Sequence, residues 1–507
     1  MKPMKITRRQ SLALLAAAHP ALRLSAAQQQ FDASWESLKQ YRCPDWFRDA
    51  KFGIWAHWGP QCVPQQGDWY ARNMYIEGSR QYEHHVATYG HPSKFGFKDI
   101  VPLWKAEHFD PETLVARYQR AGAKYFVALA AHHDNYDCWN SRHHRWNSVE
   151  TGPRKDIVGM WRKATLARGM RFGVTEHLAR SWNWFNVNKG ADKKGPLAGV
   201  PYDGNDPKYA DFYFEPHEEN GYRYPKNPPD SWKQAWLRRI TDLVDQYQPD
   251  LLYTDGGIPF GDVGRSLIAH FYQQNQKAHG GKLDAVYTIK NMTDGEHGEY
   301  QDGVAVLDME RGVVDGIHPA PWQTDTCIGG WYYHSGIRYK SGRTVIHMLA
   351  DIVSKNGNLL LNFPLRPDGT LDRDENEVLD EITAWMQVNA EAIHGTRPWK
   401  VFGEGPTQLP AGNFSERNLK PFTPDDFRFT TRGETLYAIC LGVPDAQAAI
   451  ASLGAKEGHW PGRIASVRLL GDDEPLTWAR NKDALLIDLP ERKPSRHAAV
   501  FRIIPGA

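Results

Sequence analysis

Seven polar side chains stand at or just past the ends of apolar runs of strand length: His57, His132, His133, Glu176, His177, Asp255 and Glu310. Two chemistries use such groups. A pair of carboxylates can cleave a glycosidic bond, one attacking the anomeric carbon while the other protonates the departing oxygen. Histidines and aspartates can instead hold a hydrolytic metal with one open coordination position. The histidine spacing argues against the metal. The first apolar run offers His57 alone with no His-x-His pair, the 21 histidines include no HExxH, and adjacent His132 and His133 would start toward opposite faces of a strand. The carboxylate pair needs no cofactor, and it gives the 19 Trp, 22 Tyr and 20 Phe a use as flat faces for sugar rings.

Among the seven, Asp255 has the sharpest local pattern. Leu251-Leu252-Tyr253-Thr254 reads as a buried strand that ends on a carboxylate, and Gly256-Gly257 lets the chain turn beside it. Taken alone, an Asp-Gly pair reads as a turn or a helix cap. Its place in a series changes that reading.

The series is an alternation of strands and helices. Strand-like runs at 51–57, 125–131, 171–177, 251–255, 285–289, 304–310 and 358–364 are separated by stretches of helical period. Asp110-Pro111-Glu112 opens one helix with a cap and an N-terminal proline. Ser231 with Gln234 forms a capping-box pattern before another. Further helices are expected at 156–168, 262–279, 342–355 and 374–393. The long aromatic-rich break at 179–230 reads as a lid or substrate wall. The expected fold is a (β/α)8-like barrel, with room for irregularity in its second half, where catalytic groups gather at the C-terminal ends of the strands. After residue 396 short strands at 426–430, 435–441, 466–470, 484–489 and 499–504 predict an antiparallel β-sandwich. The domain reading is a leader at 1–27, a catalytic barrel at 28–395 and a β-sandwich at 396–507.

Residues 1–27 carry five basic side chains and no acid, leaving 56 basic against 60 acidic side chains in the rest. Thr7-Arg8-Arg9-Gln10-Ser11-Leu12, an apolar run to Ala18 and small residues Ser25-Ala26-Ala27 read as a twin-arginine type export signal. A periplasmic or secreted bacterial protein is therefore expected, with no other segment apolar enough for a membrane span. No clustered basic face suggests nucleic acid. Five scattered cysteines do not make a disulfide framework.

Several stretches together resemble the retaining α-L-fucosidases of glycoside hydrolase family 29. They are Trp46-Phe47 with Lys51 through Pro60, Ala131-His132-His133-Asp134, and Trp146-Asn147-Ser148 with Gly152-Pro153-Arg154-Lys155-Asp156. Asp255-Gly256, Pro321 through Thr326, Asn356 through Asn362, and Gly395-Thr396-Arg397-Pro398-Trp399 follow in order. The resemblance implies exo-hydrolysis of terminal α-L-fucosyl units on oligosaccharides or polysaccharides, without cofactor or metal. It implies Asp255 as nucleophile and sugar contacts at His57, His132, His133, Asp68 and Trp69. The acid/base position falls on Glu310, with Glu176 as rival and Glu296 and Glu299 as outsiders. His177 and Trp322 join the expected sugar contacts. Three departures stand out: Asp68 where glutamate is usual, Tyr253 where tryptophan is usual, and Thr175-Glu176-His177 in place of a tyrosine-bearing segment. They leave two alternatives, a hydrolase for a related sugar such as an α-L-galactoside and a non-catalytic fucose-binding relative.

Overall fold

Eight parallel strands close into a barrel in chain order, each paired with the next and the last with the first. The structure is a computed structural model that describes residues 30–292, 296–416, 420–491 and 493–506. The leader expected at 1–27 lies outside the described residues. The strands are β1 (Phe52–Ala56), β2 (Tyr125–Ala131), β3 (Arg171–Glu176), β4 (Leu251–Tyr253), β5 (Val286–Lys290), β6 (Val306–Glu310), β7 (Trp322–Cys327) and β8 (Gly357–Asn362). Both faces of β1, β2 and β8 are buried, as expected of strands covered by helices outside and packed side chains within.

Seven strands sit where the apolar runs predict them. β7 does not advertise itself, because Gln323, Thr324, Asp325 and Thr326 make it polar, yet all are buried. Their partners lie inside the protein. Gln323 donates to Asp308 at 2.9 Å, Asp325 lies 3.2 Å from the Tyr253 hydroxyl, and Thr326 donates to Glu416 at 2.8 Å. A strand whose polar groups are satisfied in the barrel needs no apolar alternation.

The helix Pro111–Arg120 begins as predicted, with the Asp110 carboxylate accepting the Thr113 N–H at 3.1 Å. The helix Asp230–Tyr247 begins one residue before the expected capping box. Pro229 at its start makes no side-chain cap, so Ser231 falls inside the first turn.

Beyond the barrel come β9 (Arg397–Glu404), β10 (Phe427–Arg432), β11 (Thr435–Cys440), β12 (Gln447–Ile450), β13 (Ile464–Leu469), β14 (Trp478–Arg480), β15 (Leu485–Asp488) and β16 (Ala499–Pro505). They form an antiparallel five-stranded sheet, β13-β16-β11-β10-β9, and a three-stranded sheet, β12-β15-β14. Phe427, Phe429, Leu436 and Phe501 from one sheet share a core with Ile450, Leu485 and Ile487 from the other. Sequence patterning missed β9, β12 and β14, which are short or only partly covered. A buried ion pair, Arg428 Nε to Asp351 Oδ1 at 2.5 Å, joins this unit to the barrel helix Gly342–Ser354. Trp385 donates across the same junction to the Ala498 carbonyl at 3.0 Å. Among the described residues no helix is long and apolar enough to cross a membrane.

Candidate active site

β4 delivers Asp255 to the C-terminal mouth of the barrel. Tyr253 is the last strand residue, and Thr254 is fixed by its hydroxyl contact with Tyr287 at 2.6 Å. Asp255 then takes a left-handed backbone conformation (φ 49°), which a short polar side chain tolerates better than a bulky one. The chain can turn so tightly because Gly257 has no Cβ; one there would lie 2.6 Å from the Glu299 carbonyl oxygen. Tyr224 donates to the Thr254 carbonyl at 3.1 Å, holding the turn from outside.

The turned carboxylate faces a set of positive and neutral polar groups. Lys290, the last residue of β5, donates to Asp255 Oδ1 at 2.8 Å, and the Tyr253 hydroxyl donates to the same oxygen at 3.2 Å. Around Oδ2 stand His177 Nδ1 at 3.5 Å, Arg180 Nη2 at 3.6 Å and His133 Nε2 at 3.7 Å. Burial by itself would raise the Asp255 carboxyl. The Arg180 and Lys290 charges outweigh it and hold the group well below the usual carboxylate range. Lys290 is buried as well, and burial disfavours its charge. The carboxylates of Asp255, Asp325, Glu310 and Asp308 prevail and keep it protonated.

Lys290 also donates to Glu310 Oε2 at 2.6 Å. Glu310 ends β6, so the neighbouring strands place ammonium and carboxylate side by side at the barrel mouth. The Asp255 and Glu310 oxygens that share Lys290 are therefore no farther apart than those two bond lengths laid end to end. That bound on the nearer oxygens is compatible with the roughly 5–5.5 Å between carboxyl groups of retaining glycosidases.

Four histidines floor the cavity. Burial pushes His57 and His133 down to about 3, and it carries His132 and His177 well below the ordinary imidazole range, so all four are neutral near pH 7. His133 Nδ1 donates to the His177 carbonyl at 2.6 Å, leaving Nε2 as an acceptor. His132 Nδ1 accepts from Gln61 at 2.9 Å, leaving Nε2–H as a donor. The adjacent rings do not diverge as a regular strand would require. Both lie beyond the last β2 residue, just after a β2–β3 register shift between Leu129 and Ala131, and their centroids are 4.3 Å apart. Among the described residues, His57 Nδ1 and His177 Nε2 are buried without a hydrogen-bond partner. Burial pushes Asp68 up to about 8, so its carboxyl is a neutral donor at pH 7.

The cavity, about 410 Å³, brings together Asp255, Glu310, His57, Asp68, Trp69, His132, His133 and His177. Four residues named from sequence lie elsewhere. Glu176 is fully buried beneath the site, its Oε2 accepting from Leu178 N–H at 3.0 Å and Trp236 Nε1 at 3.2 Å. Trp322 begins β7 and so lies at the opposite end of the barrel, where its indole donates to the Lys355 carbonyl at 2.9 Å. The tryptophans that do line the cavity are Trp55, Trp69 and Trp331, with Trp331 centred 5.0 Å from His57. Glu296 and Glu299 line a neighbouring cavity and pair with Arg223 and Arg265.

Sequence reasoning missed Lys290 and Arg180. Lys290 follows an apolar run in the same manner as Asp255 and Glu310, and the expected strand stopped one residue short of it. Arg180 sits in the aromatic-rich stretch after β3, where no periodicity marks it. That stretch does supply a wall, through Arg180, Tyr222 and Arg223.

Among the described residues two ligand groups are close enough to hold a metal ion: His57, His132 and His177, and His133, His177 and Asp255. At the second, an added cation would meet Arg180 and Lys290 already paired with Asp255. The first is made of neutral imidazoles that present a donor and unpartnered nitrogens, the complement of sugar hydroxyls.

A sequence profile of the Alpha-L-fucosidase family matches residues 19–391. The chain is 27% identical to the tissue alpha-L-fucosidase of Mus musculus over 488 residues, covering 93% of each chain. It is 27% identical to the plasma alpha-L-fucosidase of Homo sapiens over 477 residues, covering 91% of this chain and 89% of that one. The fold matches a Thermotoga maritima alpha-fucosidase solved with a mechanism-based inhibitor, with a TM-score of 0.71 and 24% identity over 94% of this chain and 100% of that one. The chain belongs to the α-L-fucosidase family of glycoside hydrolases.

Proposed function

We propose that this chain removes terminal α-L-fucosyl units with retention of configuration, using Asp255 as nucleophile and Glu310 as acid/base. The observation that carries this reading is the shared ammonium: Lys290 contacts one oxygen of each carboxylate, an arrangement compatible with the spacing of a retaining pair. Asp255, ionised beside Arg180 and Lys290, attacks C1 while protonated Glu310 donates to the departing oxygen. Water then attacks the glycosyl ester with Glu310 as base, and the second inversion restores the starting configuration. Negative charge leaves Asp255 as the ester forms and arises on Glu310 as its proton departs. Lys290 faces both ends of that transfer, so its partner changes while the buried charge balance does not. The neutral histidines, with His132 Nε2 as donor and His133 Nε2 as acceptor, suit ring hydroxyls. Trp55, Trp69 and Trp331 suit its apolar faces.

Azide separates the two carboxylate roles. Asp255→Ala with an activated aryl α-L-fucoside and azide should yield the β-fucosyl azide, after one inversion. Glu310→Ala under the same conditions should yield the α-fucosyl azide, after two. Wild-type protein that binds fucosides without turnover would overturn the enzymatic reading. Turnover of α-L-galactosides in preference to α-L-fucosides would move the substrate.

Export belongs to the same proposal. The Arg8-Arg9 leader pattern supports a periplasmic or secreted protein, and replacing both arginines with lysine should retain it in the cytoplasm on cell fractionation.

A further inference from the structure

We propose that the segment Gly412–Glu416, which belongs to the C-terminal unit, builds the leaving-group subsite, with Phe414 as the platform for the sugar that departs. The proposal rests on the fucosidase reading above and on the place of Glu310 within it.

The segment lies between β9 and β10, yet it is bound to the loop end of barrel strand β6. Asn413 Oδ1 accepts the Glu310 N–H at 2.8 Å, and Phe414 N–H donates to the Glu310 carbonyl at 2.7 Å. Gly412 N–H donates to the Val313 carbonyl at 2.8 Å, and Glu416 N–H donates to the Arg311 carbonyl at 3.0 Å. Arg311 and Lys340 pair with the Glu416 side chain at 2.5 and 3.2 Å. The approach is close enough that a Cβ on Gly312 would sit 1.9 Å from the Gly412 carbonyl oxygen. Residues on both sides of Phe414 are thus pinned to the barrel.

Held this way, Phe414 has two properties that stability does not call for. It keeps a left-handed backbone, φ 58°, which is unusual for a bulky side chain. It also leaves 41% of its surface exposed. That surface belongs to the wall of the catalytic cavity, together with Glu310 and Met292, whose sulfur contacts Asn413 Nδ2 at 3.9 Å. The histidine floor lies on the Asp255 side of Lys290. An acid that protonates the departing oxygen stands on the leaving-group side of the scissile bond. A ring in the same wall as that acid, held to the acid's own backbone, therefore meets the leaving group, and the occupant it fits is a pyranose turning a C–H face to the aromatic plane.

The test compares two substrates that share the fucosyl unit. α-L-Fucosyl fluoride has a leaving group too small to reach Phe414; a disaccharide of fucose and a hexopyranose has one that does. For Phe414→Gly, the ratio of kcat/KM for the disaccharide to that for the fluoride should fall roughly tenfold, while Phe414→Trp should keep it within about threefold of wild type. The glycine variant should melt no lower than wild type, because glycine accepts the left-handed conformation without strain. An unchanged ratio in Phe414→Gly overturns the proposal. So does an equal loss on both substrates, with or without a lower Tm, which would make the ring a structural support for Glu310. Wild-type protein that turns over neither substrate removes the fucosidase reading itself, a result distinct from turnover with an unaltered ratio.

Discussion

Lys290 Nζ and Glu310 Oε2 lie 2.6 Å apart, at the ends of adjacent strands, and the same ammonium reaches Asp255 at 2.8 Å. Replacing Lys290 with methionine should therefore act on both carboxylates at once. Without that positive charge the Asp255 carboxyl titrates higher, so the acid limb of the kcat/KM profile moves to higher pH. Loss of a fixed donor at the reacting centre should lower kcat by about 10²–10³-fold. Asp255 and Glu310 would lose their buried counter-ion, at a cost of about 3–5 kcal/mol in chemical denaturation. A Lys290→Met enzyme with an unmoved acid limb would mean that Arg180 alone sets the charge of Asp255.

The two glutamates once competing for the acid role should separate cleanly. Glu310→Gln should lower kcat/KM for a disaccharide by about 10²–10⁴-fold, and less for an aryl fucoside whose leaving group needs little protonation. Glu176→Gln should keep its donors Leu178 N–H and Trp236 Nε1–H, and should leave the leaving-group dependence as in wild type. Steady-state kinetics on a series of aryl fucosides decides between them.

Stability adds a second signature for Glu176. Burial pushes its carboxyl up to about 8 from the ordinary 4.5. Between those values the unfolded chain holds fewer protons than the folded one, so this group lowers stability as pH rises. Glutamine removes that slope. The Tm difference between Glu176→Gln and wild type should therefore grow in favour of the variant from pH 5 to pH 8. A difference independent of pH would show Glu176 ionised in the native protein. His57 and His133 slope the other way. They titrate near 3 in the folded protein against 6.5 unfolded, so their contribution is lost as pH falls below 6.5.

Trp331, and not Trp322, should make the sugar contact that the sequence suggests for Trp322. Trp322→Ala removes a fully buried indole at the far end of the barrel and should cost about 3–5 kcal/mol of stability with KM unchanged. Trp331→Ala removes a half-buried ring 5.0 Å from His57 and should raise KM for fucosides about tenfold with little change in Tm. Paired thermal melts and initial-rate measurements test both.

The barrel was legible because seven of its strands are continuous apolar runs, and the runs themselves point to Asp255, Glu310 and the histidines. β7 escaped because its buried face is polar and satisfied by side chains far away in sequence, among them Asp308 and Glu416. Trp322 was misplaced for a related reason: a motif gives the order of residues along a strand, while the end of the strand that faces the cavity follows only from its bounds. Lys290 needed one more residue on a predicted strand. Arg180 and Phe414 carry no pattern at all, since an irregular segment is aimed by contacts that only the fold supplies.

The strap at residues 412–416 is encoded outside the segment that forms the barrel. Exchanging C-terminal sequence between homologues would thus carry a new wall to the cavity while leaving Asp255, Glu310 and Lys290 untouched. In such an arrangement, recombination at the barrel exit can diversify which glycans are trimmed without the gene having to rediscover the chemistry.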